Sequence, residues 1–181
     1  MLEHLITSRT RIKMLLKFFS NSNSTSYLRE LAEEFGESTN SIRLELNKLS
    51  KAGYLTSSYK GRIIEYRANT THFLFPEIKK LVHKYLGIDT IVEDIVNKVV
   101  AKLGKVVFCF ITGDYANGKD SGIIDVVFVG DVDQQYLRVC VERAEALIQR
   151  KIRTLVLSMS EFNVNREGLK VDNAIVLWGL K

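Results

Sequence analysis

Hydrophobic positions change their period several times along the chain, and each change marks an element. From Ser38 to Gly53, Ile42, Leu46 and Leu49 recur at intervals of four and three, which puts one apolar stripe on a helix. Ser38 offers a hydroxyl that accepts a backbone N–H in the first turn, and Gly53 stands where a left-handed residue ends a helix. From Tyr54 to Arg67 the pattern shifts to short runs rich in Tyr, Thr and Ile around Lys60-Gly61, which predicts two strands and a tight turn. Upstream, Leu28, Leu31, Ala32 and Phe35 line one side of a helix over Tyr27–Phe35, joined to the next through Gly36-Glu37. A first helix, capped by Thr7 or Ser8 and running to about Phe19, carries Ile12, Leu15, Leu16 and Phe19 on one stripe. Arg9, Arg11, Lys13 and Lys17 give it a basic side, and Ser20–Ser26 reads as a polar loop.

Pro76 disfavours helix at Phe75 and suits the first turn of a helix over Glu77–Leu86, with Ile78, Leu81, Val82 and Tyr85 as its stripe. Gly87 ends it. Ile91, Val92, Ile95, Val96, Val99, Val100 and Leu103 then make a helix that is apolar over a wide face. A strand over Lys105–Thr112, a Gly-rich turn over Gly113–Gly122 and a strand over Ile123–Val129 follow. Next come a long helix from Asp133 to about Ile152, with Leu137, Val141, Ala144, Leu147 and Ile148 inward, and a strand over Thr154–Ser158. Asn163–Lys170 reads as a polar connection, and Ala174–Trp178 as a strand or a helix end. The expected fold class is α+β. Residues 1–75 form a helical domain with a hairpin, 76–87 a connecting helix, and 88–181 a small α/β domain.

Composition narrows the class without deciding it. With 46% hydrophobic and 26% charged residues, the chain is an ordinary soluble globule. It has no apolar run of about 18 residues, so no membrane span is expected. The first residues lack a signal-peptide layout, and the expected compartment is the cytoplasm. Cys109 and Cys140 lie in apolar surroundings, and His4, His72 and His83 are dispersed, so no metal ligand spacing is present and no cofactor is expected. The net charge of +5 is uneven: residues 1–87 hold 14 Lys or Arg against 8 Asp or Glu, residues 88–181 hold 12 against 13. The basic excess sits with the first half, as polyanion binding requires.

Turning 100° per residue from Ile42 places Asn40, Arg43, Leu44, Asn47 and Lys51 opposite the apolar stripe. Arg forks onto guanine, Asn pairs with adenine, and Leu44 suits a thymine methyl. Lys48, Lys51, Lys60 and Arg62 are candidates for gripping phosphates. By itself, this face equally fits a solvated surface with a stray Leu. Two helices joined by a short Gly-containing turn are a helix-turn-helix pattern, and a basic hairpin follows. Over residues 5–69 the chain resembles a winged helix-turn-helix of the ArsR/MarR-like kind. Tyr27–Ala32, Ser41–Leu49, Lys51–Leu55 and Gly61–Arg67 carry the likeness. The resemblance implies a dimer that reads double-stranded DNA and answers to a small-molecule or protein effector. The cysteine pair that metal-sensing relatives carry before the recognition helix is missing from Leu31–Phe35, which disfavours a metal sensor of that design.

The second half resembles the minimal nucleotidyltransferase domain, through Gly113 to Val127. Members have Gly-Ser, then two aspartates one residue apart on a strand. Residues two apart on a strand share a face, where two carboxylates hold the paired metal ions. Gly113, Ala116, Gly118 and Asp125 keep the spacing. Asp114 replaces the Ser and would repel a triphosphate; Val127 replaces the second Asp; and Thr154–Ser158 holds no acid. The site is therefore expected to be vestigial and non-catalytic, serving ligand sensing, dimerisation or partner binding. Gly113 and Gly118 also fit a simple tight turn, and Asp125 a structural carboxylate. Two alternatives stay open: an active nucleotidyltransferase, and an antitoxin-like protein that binds a partner.

Overall fold

In the computed structural model, residues 2–98 and 105–179 are described. The chain divides into two compact units, Met1–Val82 and His83–Lys181.

In unit 1 a short helix α1 (Leu2–Leu5) precedes α2 (Arg9–Phe19), which Ser8 caps by accepting from the Arg11 N–H at 3.2 Å. The expected stripe is buried, and so are Met14 and Phe18, which makes α2 the centre of the unit. Then come β1 (Thr25–Tyr27), α3 (Leu28–Phe35) and α4 (Thr39–Lys51). The hairpin β2 (Leu55–Lys60) and β3 (Ile63–Ala68) completes the unit. The sheet order is β1-β3-β2, all antiparallel. Ser38 caps α4 by accepting from the Ser41 N–H at 3.2 Å, and Tyr54 N–H returns to Leu49 O at 2.9 Å to close its C-terminus. The hairpin turn is Gly61-Arg62. Gly61 stands first with φ +64°, which a two-residue turn of this hand requires and a side chain would strain.

Ser20–Ser26 is not the surface loop its composition suggests. Ser20, Asn21 and Ser26 are buried, and Thr25–Tyr27 pairs with Arg67–Glu65 as a third strand. The basic side of α2 is not a free surface either. Arg11 bonds Glu45 of α4, Lys13 reaches Phe35 O at 2.8 Å and Glu37 at 3.1 Å, and Lys17 reaches Glu34 at 2.7 Å. Glu37, in the turn between α3 and α4, also accepts from Thr10 and Ser41.

The helix α5 (Phe75–Leu86) starts one residue before Pro76, and it buries Val82 and Leu86 while Leu81 stays exposed. In unit 2, α6 (Ile88–Ile91) runs into a π-helical turn (Val92–Val96), with Ile91, Ile95 and Val96 buried. Val99, Val100 and Leu103 of the expected stripe lie outside the described residues. The strands β4 (Val106–Thr112), β5 (Ile123–Gly130), β6 (Lys151–Leu157) and β7 (Ile175–Trp178) form one sheet in the order β6-β5-β4-β7. β5 and β6 are parallel, and the other pairs are antiparallel. Between β5 and β6 runs α8 (Gln134–Ile148), whose Asp133 cap accepts from Gln135 and Tyr136 N–H. One sheet face buries Phe108, Phe110, Val127, Val129 and Leu157 with Phe162, whose ring meets Phe108 edge-on at 4.5 Å. Ile124, Val126 and Phe128 alternate onto the other face and are buried as well.

Four local expectations are corrected here. Gly113–Gly122 is not all turn, because Gly113–Ala116 forms a one-turn helix, α7. The long helix stops at Ile148, since Gln149 takes a left-handed φ of +55°, and Ile152 belongs to β6. Leu147 is exposed and Cys140 takes an inward place. The polar connection begins as α9 (Met159–Asn165), with Phe162 buried. Cys109 and Cys140 are buried free thiols.

Burial alone would push the Glu37 carboxyl up, but hydrogen bonds from Thr10, Lys13 and Ser41 and the Lys13 charge hold it below the usual range. A carboxylate lowered by folding stabilises the fold above its unfolded pKa, about 4.3, and that contribution is lost as pH falls through the lower folded value. Urea unfolding from pH 6 to 3 is expected to show Glu37→Gln less stable than wild type at pH 6, with the gap closing in the acid range. A constant gap would show that Glu37 is not ionised in the clamp.

Candidate functional site

The candidate interface in unit 1 is built by burying one side of α4. Ile42, Glu45, Leu46 and Leu49 face the unit's interior, with Ile42 and Leu46 almost wholly enclosed. That leaves Asn40, Arg43, Leu44, Asn47, Lys48 and Lys51 on the exposed side, as the periodicity predicts. Asn40, Leu44, Asn47 and Lys51 follow one another at four- and three-residue steps and form a row along the helix, with Arg43 beside it. Glu45 is turned inward at 5% exposure and is held there by Arg11. An acidic side chain on this helix is thereby kept off the basic face, as its place about 60° from Ile42 indicates; its bond to Arg11 is what periodicity by itself did not show.

The phosphate candidates differ in their surroundings. Lys48 Nζ lies 3.8 Å from Glu45 and Lys60 Nζ 3.1 Å from Glu65, both at exposed, screened positions. Arg43, Lys51 and Arg62 make no ion pair among the described residues. Arg62 occupies the hairpin tip beside Gly61. Arg67, not singled out from the sequence, is exposed on β3 between Thr25 and Thr56.

In unit 2 the motif residues gather at one end of β4 and β5. Gly113 opens α7 with φ +71°, and a Cβ there would come within 2.7 Å of Asp125 Oδ2, so glycine is required by both conformation and close approach. Asp114 is exposed, with Lys119 at 4.0 Å. Gly118 is buried in the turn that follows. Asp125 does not stand alone on the strand. Arg153, directly opposite it on β6, donates Nε to Oδ1 at 2.6 Å and an Nη to Oδ2 at 3.0 Å. A forked guanidinium saturates both carboxylate oxygens. Val127, two residues on, is 2% exposed within the apolar cluster, so that strand position is given to packing. No group of three or more acidic, His or Cys residues suited to a metal ion occurs among the described residues.

The loop after α7 is pinned from below. The Tyr115 hydroxyl donates to Asp120, and Arg150 forks onto the same carboxylate at 3.2 and 2.7 Å. Burial first, and then the neighbouring Asp120, push the Tyr115 phenol well above its ordinary range. Burial would raise Asp120, yet the hydrogen bonds from Arg150 and Tyr115 hold it low. Two hollows flank this end of the sheet. One, of about 390 Å³, is lined by Thr112, Gly113, Asp114, Asn117 and Lys170; the other, of about 280 Å³, by Val127, Leu155, Leu169 and the Asp125–Arg153 pair. Sequence reasoning missed Arg153, because its position at the end of a helical pattern hid the strand register that sets it against Asp125.

No family model matches the chain, and no curated protein matches it. Solved structures match over about half of it. Reduced HlyU from Vibrio cholerae N16961 is 16% identical with a TM-score of 0.37, covering 46% of this chain and 82% of that one. The AntR antimony-specific transcriptional repressor is 20% identical with a TM-score of 0.34, covering 49% and 69%. A variant of Lactococcus lactis ZitR in its apo form is 18% identical with a TM-score of 0.38, covering 54% and 70%. No helix among the described residues is long and apolar enough to cross a membrane.

Placing a carboxylate at position 127 would put a charge into the apolar cluster. Val127→Asp is expected to lower stability by about 2 kcal/mol or more, read as a drop in the urea midpoint. An unchanged midpoint would show that this strand position reaches solvent.

Proposed function

We propose that this chain is a sequence-specific, DNA-binding transcriptional regulator that acts as a dimer. The observation that carries the reading is the exposed row on α4. One helix face is fixed by burial, the opposite face presents Asn40, Arg43, Leu44 and Asn47, and a hairpin bearing Lys60 and Arg62 follows three residues after the helix ends. A major groove admits one α-helix, and Arg and Asn are the side chains that fork onto guanine and adenine edges. Lys51 and Arg62, which make no ion pair among the described residues, would grip phosphate, with Lys48 and Lys60 adding less. In this reading residues 1–75 bind DNA, 76–87 connect, and 88–181 form a nucleotidyltransferase-like domain that serves ligand sensing, dimerisation or partner binding without catalysis. Support for the last point is chemical. Two-metal phosphoryl chemistry needs several convergent carboxylates. Here Asp125 is engaged by Arg153, and Val127 is buried.

Fluorescence anisotropy on duplex from the region upstream of the chain's own reading frame, against a scrambled duplex, tests the first part. Preference for the specific duplex by about a thousandfold is expected. Arg43→Ala should cost about 1–3 kcal/mol on the specific duplex and relax its preference, while Lys51→Ala should weaken both duplexes alike and reduce the salt slope by about one. Equal losses on both duplexes for Arg43→Ala would assign Arg43 to phosphate. Equally weak binding of the wild type to both would overturn the regulator reading in favour of a partner-binding module.

For the second unit, incubation with Mg²⁺ and radiolabelled ATP is expected to label neither protein nor small-molecule acceptors. A labelled product that disappears in Asp125→Ala would establish an active enzyme.

A further inference from the structure

The tip of the hairpin exposes apolar surface that the fold does not use. Tyr59 and Ile64 are directly opposed in the β2–β3 register and share one face of the ribbon. On the same face the Leu55–Ala68 pair is buried, so the ribbon's root packs into the unit while its end leaves it. At that end Tyr59 is 82% exposed, Ile64 37% and, on the opposite face, Ile63 43%. Single exposed apolar residues are ordinary, but Tyr59 and Ile64 stand side by side on one face next to a two-residue turn, with Ile63 on the other face. Lys60 and Arg62, both exposed, lie at the tip between Tyr59 and Ile63, which makes the tip complementary to a polyanion that also offers flat apolar faces. Nucleic acid has both properties.

The reach of the ribbon agrees with this partner. The strand from Leu55 to Tyr59 is about 14 Å long, comparable with half a turn of duplex, about 17 Å, since a full turn is about 34 Å.

Resting on the DNA-reading proposal above, we infer that Tyr59, backed by Ile64, is a wedge that enters the duplex beside the groove occupied by α4 and unstacks one base step. Lys60 and Arg62 hold the phosphates on either side of it. Glu65, 3.1 Å from Lys60, keeps that ammonium over the ribbon until phosphate replaces it. Pyrimidine–purine steps unstack most readily, so the wedge adds a preference for TA or CA/TG at a position that α4 does not contact.

The test is permanganate reactivity of thymines along the upstream duplex, with the full chain bound at saturation. Every pyrimidine–purine step of this kind contains a thymine, so the position need not be known beforehand. Wild type is expected to create a hyperreactive thymine in each half-site. Tyr59→Ala should abolish it and weaken binding about tenfold or more, while Tyr59→Phe, which keeps the ring, retains both. Because Tyr59 is exposed, the urea midpoint of Tyr59→Ala should match wild type. Specific binding with no hyperreactive thymine overturns the wedge and leaves the DNA reading standing. Failure of the wild type to bind the duplex overturns both. Unchanged binding by Tyr59→Ala, or a change in its oligomeric state in place of the lost reactivity, assigns the tip to another role and overturns the wedge.

Discussion

The ion pairs leaving α2 fix how α4 is rolled about its own axis. An apolar stripe tolerates small rotations, because any similar hydrophobic contact buries similar area. Arg11 to Glu45 does not, because a buried carboxylate must keep its partner. Lys13 and Lys17 bond Phe35 O, Glu37 and Glu34 in the same way, so α3 and the turn before α4 hang from the same helix. The consequence is functional. Under the proposed DNA reading, a row of groups that meets base edges needs its helix held within a small angle, and directional bonds to a central, buried helix supply that. It also means that most of the charge on α2 belongs to folding and none of these three residues is free for DNA.

This division explains what could and could not be read from the chain. Ile42, Leu46 and Leu49 lie within one helix, so their spacing states their common face, and the exposed row follows by subtraction. Ser38 announces the helix start because its bond is local. Arg11 and Glu45 are 34 residues apart, and no spacing rule connects them. β1 was illegible for a similar reason: Thr25–Tyr27 is short and polar, and becomes a strand through pairing with β3. The end of α8 failed locally as well. Gln149 takes the left-handed position without being glycine, so a helical pattern ran on into what is the first part of β6.

That misplaced boundary concealed the main fact about the second unit. With the strand starting at Lys151, Arg153 falls opposite Asp125 in a parallel register and satisfies both carboxylate oxygens. The spacing from Gly113 to Asp125 was legible, and so was the lack of an acid at position 127. How Asp125 is satisfied was not, because cross-strand partners depend on register. The pairing also gives Gly113 a structural reason that needs no ligand: a side chain there would displace the carboxylate from its guanidinium.

In unit 1 Glu34, Glu37 and Glu45 are drawn against the α2 cations, and the exposed side of α4 is left with Asn40, Arg43, Asn47 and Lys51. In unit 2 Arg150 is engaged by Asp120 and Arg153 by Asp125. The charge split between residues 1–87 and 88–181 already leaned this way; pairing, which cancels equal charge of both signs, keeps that net value and decides which side chains carry the remainder. Long-range attraction scales with that remainder and is screened within about 10 Å at 0.1 M salt. Under the proposed DNA reading, a basic face around α4 and the hairpin acts at contact distance, where the row on α4 would select among sequences and the charge would hold whichever duplex is present.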